Sequence, residues 1–343
     1  MTRVLVGLSG GVDSALAAVL LARQGHDIVT ATMRITVPDN PLSRAAGRGC
    51  FDCKTAGDLE APARLADSLG LRHVTIDCAD KFRQLVLDDF RAQYMAGRTP
   101  NPCVRCNCMM KFGLLPAAAR DMGIDFDFFA TGHYARITGD FRLRQAADKA
   151  RDQSYFLYRL TRQQLQKTLF PLGELAKAQV RQMAKEHGLQ VADQPDSQDF
   201  YSGDYADLLD AKPSPGDIKM PDGAVVGRHD GFWRYTIGQR KGLGVSAPKP
   251  LYVVDIKPEQ NQVVVDFAPP LSQGCTIVDS TGDFAAKEKL WIKVRSGATP
   301  VPGWVDSDGR ATFEEPQLAV PGQSLVAYDG DMVAGGGIIE KTF

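Results

Sequence analysis

The chain carries almost no net charge. Its 40 Lys and Arg are met by 41 Asp and Glu, a formal balance of −1. That excludes a molecule that is basic throughout, so any nucleic-acid surface must be a local patch. There is no apolar run long enough to cross a bilayer. The opening MTRVLVGLSGG has a short apolar segment but no signal-peptide cleavage pattern, and glycines follow at once. These absences predict a cytoplasmic protein with no membrane partner. An even cysteine count is missing as well: there are seven, which argues against a disulfide framework in that compartment. No internal repeat or low-complexity tract is present.

What is there is ordinary in bulk and unusual in detail. A hydrophobic content of 44% and a charged content of 24% suit a globular protein. The 343 residues exceed what one core usually holds, so two or three domains are expected. Five of the seven cysteines fall in two tight groups, Cys50 with Cys53, and Cys103 with Cys106 and Cys108. The C-x-x-C spacing in both groups points to metal or redox chemistry. Cys78 and Cys275 stand apart from these groups, as buried spectators would.

Residues 3–8, 27–35, 72–77 and 126–131 read as strands, and 13–24, 55–70, 81–96 and 108–122 as helices. The alternation predicts an α/β fold with a parallel sheet. Ligands of such sheets lie beyond the C-terminal strand ends, so the loops after residues 8, 35 and 131 are expected to share one cleft. From about residue 207 the texture turns to Gly, Pro and Asp, then to short alternating runs such as LYVVDI and QVVVDF. KLWIKVR, GRATFEE and QSLVAYDG continue this pattern. The expected division is a catalytic domain over 1–206, a small central β-rich domain over 207–272 and a C-terminal β-barrel over 273–343.

At the first strand–helix junction stands GLSGGVDS, that is Gly7, Leu8, Ser9, Gly10, Gly11, Val12, Asp13 and Ser14. It lacks the lysine of a G-x-x-x-x-G-K-[ST] loop and the spacing of G-x-G-x-x-G. Gly10 and Gly11 let backbone approach an anion, Ser9 and Ser14 offer hydroxyls, and the helix N-terminus adds partial positive charge. Asp13 would repel phosphate unless it held a metal ion or capped the helix. The plain alternative is a tight turn with a capping residue. S-G-G-x-D-S resembles the pyrophosphate-binding loop of the ATP pyrophosphatases, which adenylate a substrate oxygen.

Further blocks occur in order: AGRTPNPCVRCNCMMKF (96–112), ATGHYARI (130–137), RDQSYFLYRL (151–160), FPLGELAKAQVR (170–181), DSQD (196–199), GRHDGFWRYTIGQRKGLG (227–244) and VPGQSLVAYDGDMVAGGGII (320–339). Together they resemble the tRNA-specific 2-thiouridylase family nearly end to end. The resemblance implies an adenine nucleotide α-hydrolase-like domain of the ATP-pyrophosphatase type, a central domain and a β-barrel. It implies ATP and Mg²⁺ as cofactors, tRNA as substrate, and a sulfur donor such as a cysteine desulfurase or relay protein. The implied reaction replaces O2 of the wobble uridine, position 34, by sulfur. Carbonyl oxygen leaves poorly; adenylation turns it into AMP, and a thiolate-derived sulfur can then attack C2.

By the same resemblance Cys106 matches the nucleophile, and Asn101, Pro102 and Cys103 match the stretch against the target base. Met33 and Gly132 match adenosine contacts, with His133 beside them, and Arg151, Asp152 and Gln153 match a tRNA-contact stretch. A helical segment after Cys106 would lower its pKa if the thiol sat at the helix start. Read as residues alone, Met33 equally suits core, His133 a turn, and Arg240 and Lys241 a solvated turn; Tyr155, Phe156 and Tyr158 suit core better than base stacking.

Two departures from the family stand out. Many members have Asp where this chain has Cys103. Many also have a second cysteine where this chain has Tyr201, and a phenol cannot carry a persulfide. Cys50 and Cys53 are candidates to compensate. Three routes fit the spacing, in this order: three or four of Cys50, Cys53, Cys103 and Cys106 hold an iron–sulfur cluster, such as [4Fe-4S], with an open iron that carries sulfide; Cys106 carries a persulfide that Cys103 resolves; or the four thiolates bind zinc. Two rivals to the whole reading are another AMP-forming enzyme of the same loop class and a non-catalytic tRNA-binding paralog. No glutaminase-like N-terminal cysteine supports the first, and the retained SGGVDS argues against the second.

Overall fold

The most apolar stretch of the N-terminal region makes the central strand. In the computed structural model, which describes residues 1–36, 49–52, 56–196, 200–282, 284 and 288–343, Val4, Leu5 and Val6 are all but inaccessible. They lie in β1 (Arg3–Gly7), which is followed by α1 (Val12–Arg23), β2 (Asp27–Arg34), α2 (Ala56–Ser68) and β3 (Arg72–Asp77). Then come β4 (Phe128–Thr131), the short pair β5 (Ala135–Ile137) and β6 (Leu143–Gln145), and β7 (Thr168–Leu169). Among the described residues the strands order as β3-β2-β1-β4-β7, all parallel. A central parallel strand buried on both faces needs a continuous apolar run, and VLV supplies it.

Alanines bring α1 close to this sheet. Ala15, Ala17 and Ala18 are fully buried, and Leu16 packs with Leu8, Tyr134, Leu172 and Val180. On the other side Val4, Val6, Ala18, Leu21, Ile28 and Ala130 close a second cluster. Val180 and Ala184 belong to the helix Lys177–Glu186, so α1 is covered by a helix from 165 residues further on, counting Val12 to Lys177.

The helix expected over 108–122 begins earlier, at Pro102. Proline is well placed at a first helical position, where a missing N–H costs nothing. From Cys106 to Leu114 the winding loosens to a π-helix before Leu115–Asp121 returns to α geometry. Such loosened turns are uncommon and often lie at functional sites. The helix expected over 81–96 begins at Ala79 and likewise loosens over Arg83–Leu87.

The described chain forms two compact units: 1–86 with 102–203 and 331–333, and 87–101 with 204–330 and 334–343. In the first, Asp331 accepts from Arg136 (2.9 Å) and Arg144 (2.7 Å) and its carbonyl from the Gln145 amide, fixing β6. In the second, β8 (Gly216–Lys219), β9 (Val225–His229), β10 (Tyr252–Lys257) and β11 (Gln262–Asp266) form a small sheet ordered β10-β11-β8-β9. The β11–β8 pair is parallel, so this module is mixed rather than purely antiparallel.

The C-terminal strands are β12 (Ser272–Gly282), β13 (Leu290–Lys293), β14 (Val301–Val305), β15 (Arg310–Gln317), β16 (Ser324–Asp329) and β17 (Met332–Thr342). They run β12-β15-β14-β13-β16-β17, and β17 pairs back onto β12, which closes a barrel among the described residues. Cys275 is fully buried in its core with Ile292, Phe313 and Leu325, as expected. The loop before Pro102 is pinned here: the Thr99 amide donates to Pro321, and Gln323 donates to the Thr99 carbonyl at 2.8 Å.

Candidate active site

The glycine-rich loop leaves the C-terminal end of β1 and enters α1. The Leu8 amide donates to Ala31 at 2.8 Å, and Thr32 donates to the Leu8 carbonyl, so β2 holds the loop's base. Gly10 has φ +84°, a left-handed conformation that a side chain would strain. Gly11 precedes the helix and brings no side chain to its first amides. Ser14 Oγ accepts from the Ser9 amide at 3.1 Å and lies 3.1 Å from Ser9 Oγ, so both hydroxyls are drawn to one side of the loop.

Gly132, at the end of β4, lies against this turn. A Cβ there would come within 2.6 Å of the Asp13 carbonyl carbon and 2.7 Å of the Ser14 nitrogen. Backbone contact that close requires glycine. The loops after β1 and β4 therefore meet, as the sheet logic predicts. Met33 is half-buried near the end of β2, next to Ile76 of β3 in register. His133 bonds Thr131 at 2.8 Å and sits among Phe112 and Phe170. Burial, with the Lys111 cation nearby, holds its pKa well below 6.5, so the ring is neutral at physiological pH.

Asp13 is neither a cap nor exposed to repel phosphate. Lys177 donates to both of its oxygens at 2.8 Å, and Tyr134 Oη donates at 2.7 Å. Lys177 is itself buried and also meets Asp196 at 2.8 Å. Arg151 (2.9 Å) and Arg181 (3.1 Å) complete the set around Asp196. Burial alone would raise the Asp196 pKa; Lys177, Arg151 and Arg181 outweigh it and hold the carboxyl below its ordinary value. Burial and the Asp13 charge push the Tyr134 phenol far up, so it serves as a donor. The loop is thus braced by a chain of alternating charges.

The second group is built from thiols. Cys106 is partly exposed, one turn after the start of the helix at Pro102. Its pKa is raised, not lowered: burial pushes it to about 11, Lys111 pulls against this, and Cys50 and Cys78 add to the rise. The expectation of a helix-start thiolate is corrected, because the helix begins four residues earlier than the thiol. Cys78 is buried, as expected, and burial pushes its own thiol up to about 11. Cys103 is partly exposed on the first helical turn. Cys108 lies 3.7 Å from the Arg159 carbonyl, and burial raises its pKa. Asn107 is buried and donates to Phe156 at 3.2 Å, while its Oδ1 has no partner.

Cys50 is exposed, and its Sγ lies 3.6 Å from the Phe200 carbonyl. Phe51 stacks on Phe82 (5.4 Å) and Phe200 (5.8 Å). Asp52, fully buried, accepts from the Gly49 amide (2.6 Å) and from the Ser202 amide and hydroxyl (2.8 Å each). Cys53 lies outside the described residues. Among the described residues no group of three His, Cys, Asp or Glu side chains is arranged to hold a metal ion. Of the expected set, Cys50, Cys103 and Cys106 form no such group among the described residues, and no step is derived through a cluster or zinc.

The stretch matched to tRNA contact is mostly engaged internally. Asp152 accepts from Ala146 (2.9 Å) and Ser154 (2.8 Å), and Gln153 exchanges bonds with the Tyr134 backbone at 2.9 and 2.8 Å. Tyr155 and Tyr158 are buried, as expected, and Arg240 and Lys241 lie in an exposed turn. Asn101 and Pro102 directly precede Cys103, Asn101 at the end of the pinned loop and Pro102 opening the helix. Sequence reasoning gave no role to Lys177, Tyr134, Asp196 or Lys111. They stand in the blocks FPLGELAKAQVR, ATGHYARI, DSQD and AGRTPNPCVRCNCMMKF, so their positions were marked while their pairing was not.

Three sequence families match successive parts of the chain: a tRNA methyl transferase HUP domain over 2–201, a tRNA methyl transferase PRC-barrel domain over 208–266 and an aminomethyltransferase beta-barrel domain over 277–339. Fold and loop together place the protein in the class of parallel-sheet HUP domains followed by two β modules. Full-length relatives narrow this. The tRNA-specific 2-thiouridylase MnmA of Endomicrobium trichonymphae is 42% identical over 356 residues, covering 98% of both chains. The protein of that name from Trichormus variabilis is 41% identical over 362 residues, covering 99% of both. An NMN synthetase structure from Francisella tularensis overlays less well, at 19% identity and TM-score 0.37 over 59% of this chain and 68% of that one, so the sequence relatives carry the assignment. The chain belongs to the tRNA-specific 2-thiouridylase family, whose members are tRNA sulfurtransferases.

Proposed function

We propose that the protein uses ATP to replace O2 of uridine 34 in tRNA by sulfur. The observation that carries this is the loop Ser9–Ser14 wedged against Gly132. It offers an anion uncapped helix amides and close backbone approach, while Ser9 and Ser14 bond each other and the Gly11 carbonyl and so shape the turn. The uracil C2 oxygen attacks the α-phosphorus of ATP, and pyrophosphate leaves. A sulfur delivered by Cys106 then attacks C2, and AMP leaves. Within the loop, Lys177 and Tyr134 fix Asp13, so the first turn of α1 is rigid when ATP arrives. Mg²⁺ brought with ATP would screen the phosphate charge; Asp13, paired with Lys177 and Tyr134, braces the loop rather than holding the ion. Met33, Gly132 and neutral His133 form the adenosine side, and Asn101, Pro102 and Cys103 the target-base side. Arg151 is the member of its triplet suited to meet phosphate.

The sulfur source in this reading is a protein persulfide, from a cysteine desulfurase or a relay protein, in the cytoplasm. The chain's three domains divide at 206/207 and 272/273. No helix among the described residues is long and apolar enough to cross a membrane. The test combines unmodified tRNA, ATP, Mg²⁺ and a sulfur source. Expected are AMP and pyrophosphate formed in a tRNA-dependent manner and 2-thiouridine in the digested tRNA. AMP without thiouridine would favour another enzyme of the loop class. Binding of tRNA without AMP would mean a non-catalytic paralog.

A further inference from the structure

Tyr201 occupies the place where many relatives carry a second thiol, and the structure closes that place. Tyr201 is 1% exposed, and a Cβ on Gly203 would fall within 2.7 Å of its ring. Next to it, however, a thiol is held by a dedicated clamp. The Phe200 carbonyl lies 3.6 Å from Cys50 Sγ and accepts the Phe51 amide at 3.0 Å. Asp52 ties Gly49 to Ser202 through three donors. A carboxylate this buried is held only by a full donor set, so the clamp is specific. Segment 49–52 is thereby fixed one residue from position 201.

The same segment reaches the Cys106 helix through a shared neighbour. Phe51 stacks on Phe82, and Arg105, which precedes Cys106, donates to the carbonyl of Leu85 three residues further on. The charge felt by Cys106 from Cys50 and Cys78 agrees with this proximity. Of those two thiols, Cys78 is 2% exposed, with its amide bonded to Arg34 and its carbonyl to Phe82. Cys50 is exposed. A thiol that must be reduced again after each turnover has to be reachable, which selects Cys50.

We propose that Cys50 is the resolving thiol for sulfur carried by Cys106, in place of the residue that Tyr201 replaces. This rests on the thiolation reading above. A persulfide donor transfers a sulfane sulfur to Cys106. Its terminal sulfur attacks the adenylated C2, expelling AMP and leaving a Cys106–S–S–C2 adduct. The Cys50 thiolate, its proton passing to solvent, attacks Cys106 Sγ. The S–S bond to the transferred sulfur breaks, the C2 thiocarbonyl departs with the bonding pair, and a Cys50–Cys106 disulfide forms. The sulfane sulfur is reduced by two electrons and the two cysteines are oxidised by two. A dithiol reductant then restores them.

The test uses the full-length protein with ATP, Mg²⁺, unmodified tRNA and one of two sulfur sources. One is a persulfide-charged cysteine desulfurase. The other is inorganic sulfide, which attacks the adenylated C2 directly and needs no second thiol. With persulfide and no reductant, wild type is expected to stop after about one turnover with Cys50 and Cys106 disulfide-linked in peptide mass spectra. Cys50→Ser is expected to lower persulfide-driven product relative to sulfide-driven product by at least ~10-fold. The sulfide arm also reports whether the variant folds. A Cys103–Cys106 disulfide, or an unchanged ratio in Cys50→Ser, overturns the proposal. No thiouridine from wild type with either source overturns the functional reading itself, and the proposal with it.

Discussion

Lys177 holds two carboxylates at once, which makes it the most consequential single side chain outside the thiol group. It is buried, and both Asp13 and Asp196 depend on it for compensation. Removing one partner of a buried pair leaves an unscreened charge, at a cost of about 3–5 kcal/mol. Lys177→Ala is therefore expected to lower the urea midpoint strongly, and pairing it with Asp13→Asn should recover part of the loss. Cys106 makes a kinetic prediction. With its pKa at about 11 against an ordinary 9.0, its thiolate fraction at neutral pH is roughly 100-fold lower. Alkylation of Cys106 by iodoacetamide, followed by peptide mass spectrometry, should be slower by about that factor. Cys106→Ser should abolish thiolation; normal 2-thiouridine from that variant would remove Cys106 from the mechanism. His133 predicts a pH effect. Below 6.5 the unfolded chain takes up a proton that the buried ring refuses, so its contribution is complete above 6.5 and falls as pH drops. Urea midpoints at about pH 7.5 and 5.5 should differ in wild type and differ less in His133→Gln.

At the scale of elements, the contact between β4 and α1 is the narrowest tolerance in the site. Gly132→Ala forces strand or helix aside, and displacements near 1 Å can cost roughly 100-fold in rate. AMP formation should fall by about that much, and the forced shift of packed backbone should lower stability by about 1–3 kcal/mol, as measured by initial rates and urea titration. Much of the fold is legible in the sequence because it is written in local pattern. The VLV run gives β1, the strand over 72–77 is read to the residue, and the alternating runs near the C-terminus give barrel strands. The glycine loop is legible for the same reason, since its residues are contiguous. The start of the cysteine helix is not, because Asn-Pro-Cys reads as a turn until Pro102 is seen as a first helical residue. The ion chain is least legible of all: Asp13 and Lys177 stand 164 residues apart, and no spacing announces a pair at that distance. Cys50 itself is marked by its C-x-x-C spacing, but its contact with Phe200, 150 residues away, is not.

For the whole molecule, metal content separates the sulfur routes. Protein purified without oxygen is expected to carry substoichiometric iron, zinc and acid-labile sulfide if thiols alone move sulfur. About four irons with matching sulfide per chain would instead recruit the cysteines as ligands. One zinc without labile sulfide would make them structural.

The bond between Asp331 and the two arginines of the β5–β6 pair has a consequence in time. A ribosome delivers Arg136 and Arg144 long before Asp331, and Thr99 long before Pro321 and Gln323. Domains usually settle as they emerge, N-terminal part first. Here each compact unit waits for a residue far downstream, 187 positions on for Arg144 and 224 for Thr99. A nascent or prematurely terminated product would hold the nucleotide loop and its cysteines without the contacts that fasten β6 and residue 99. The fold thus ties completion of its first unit to the synthesis of residues 331–333.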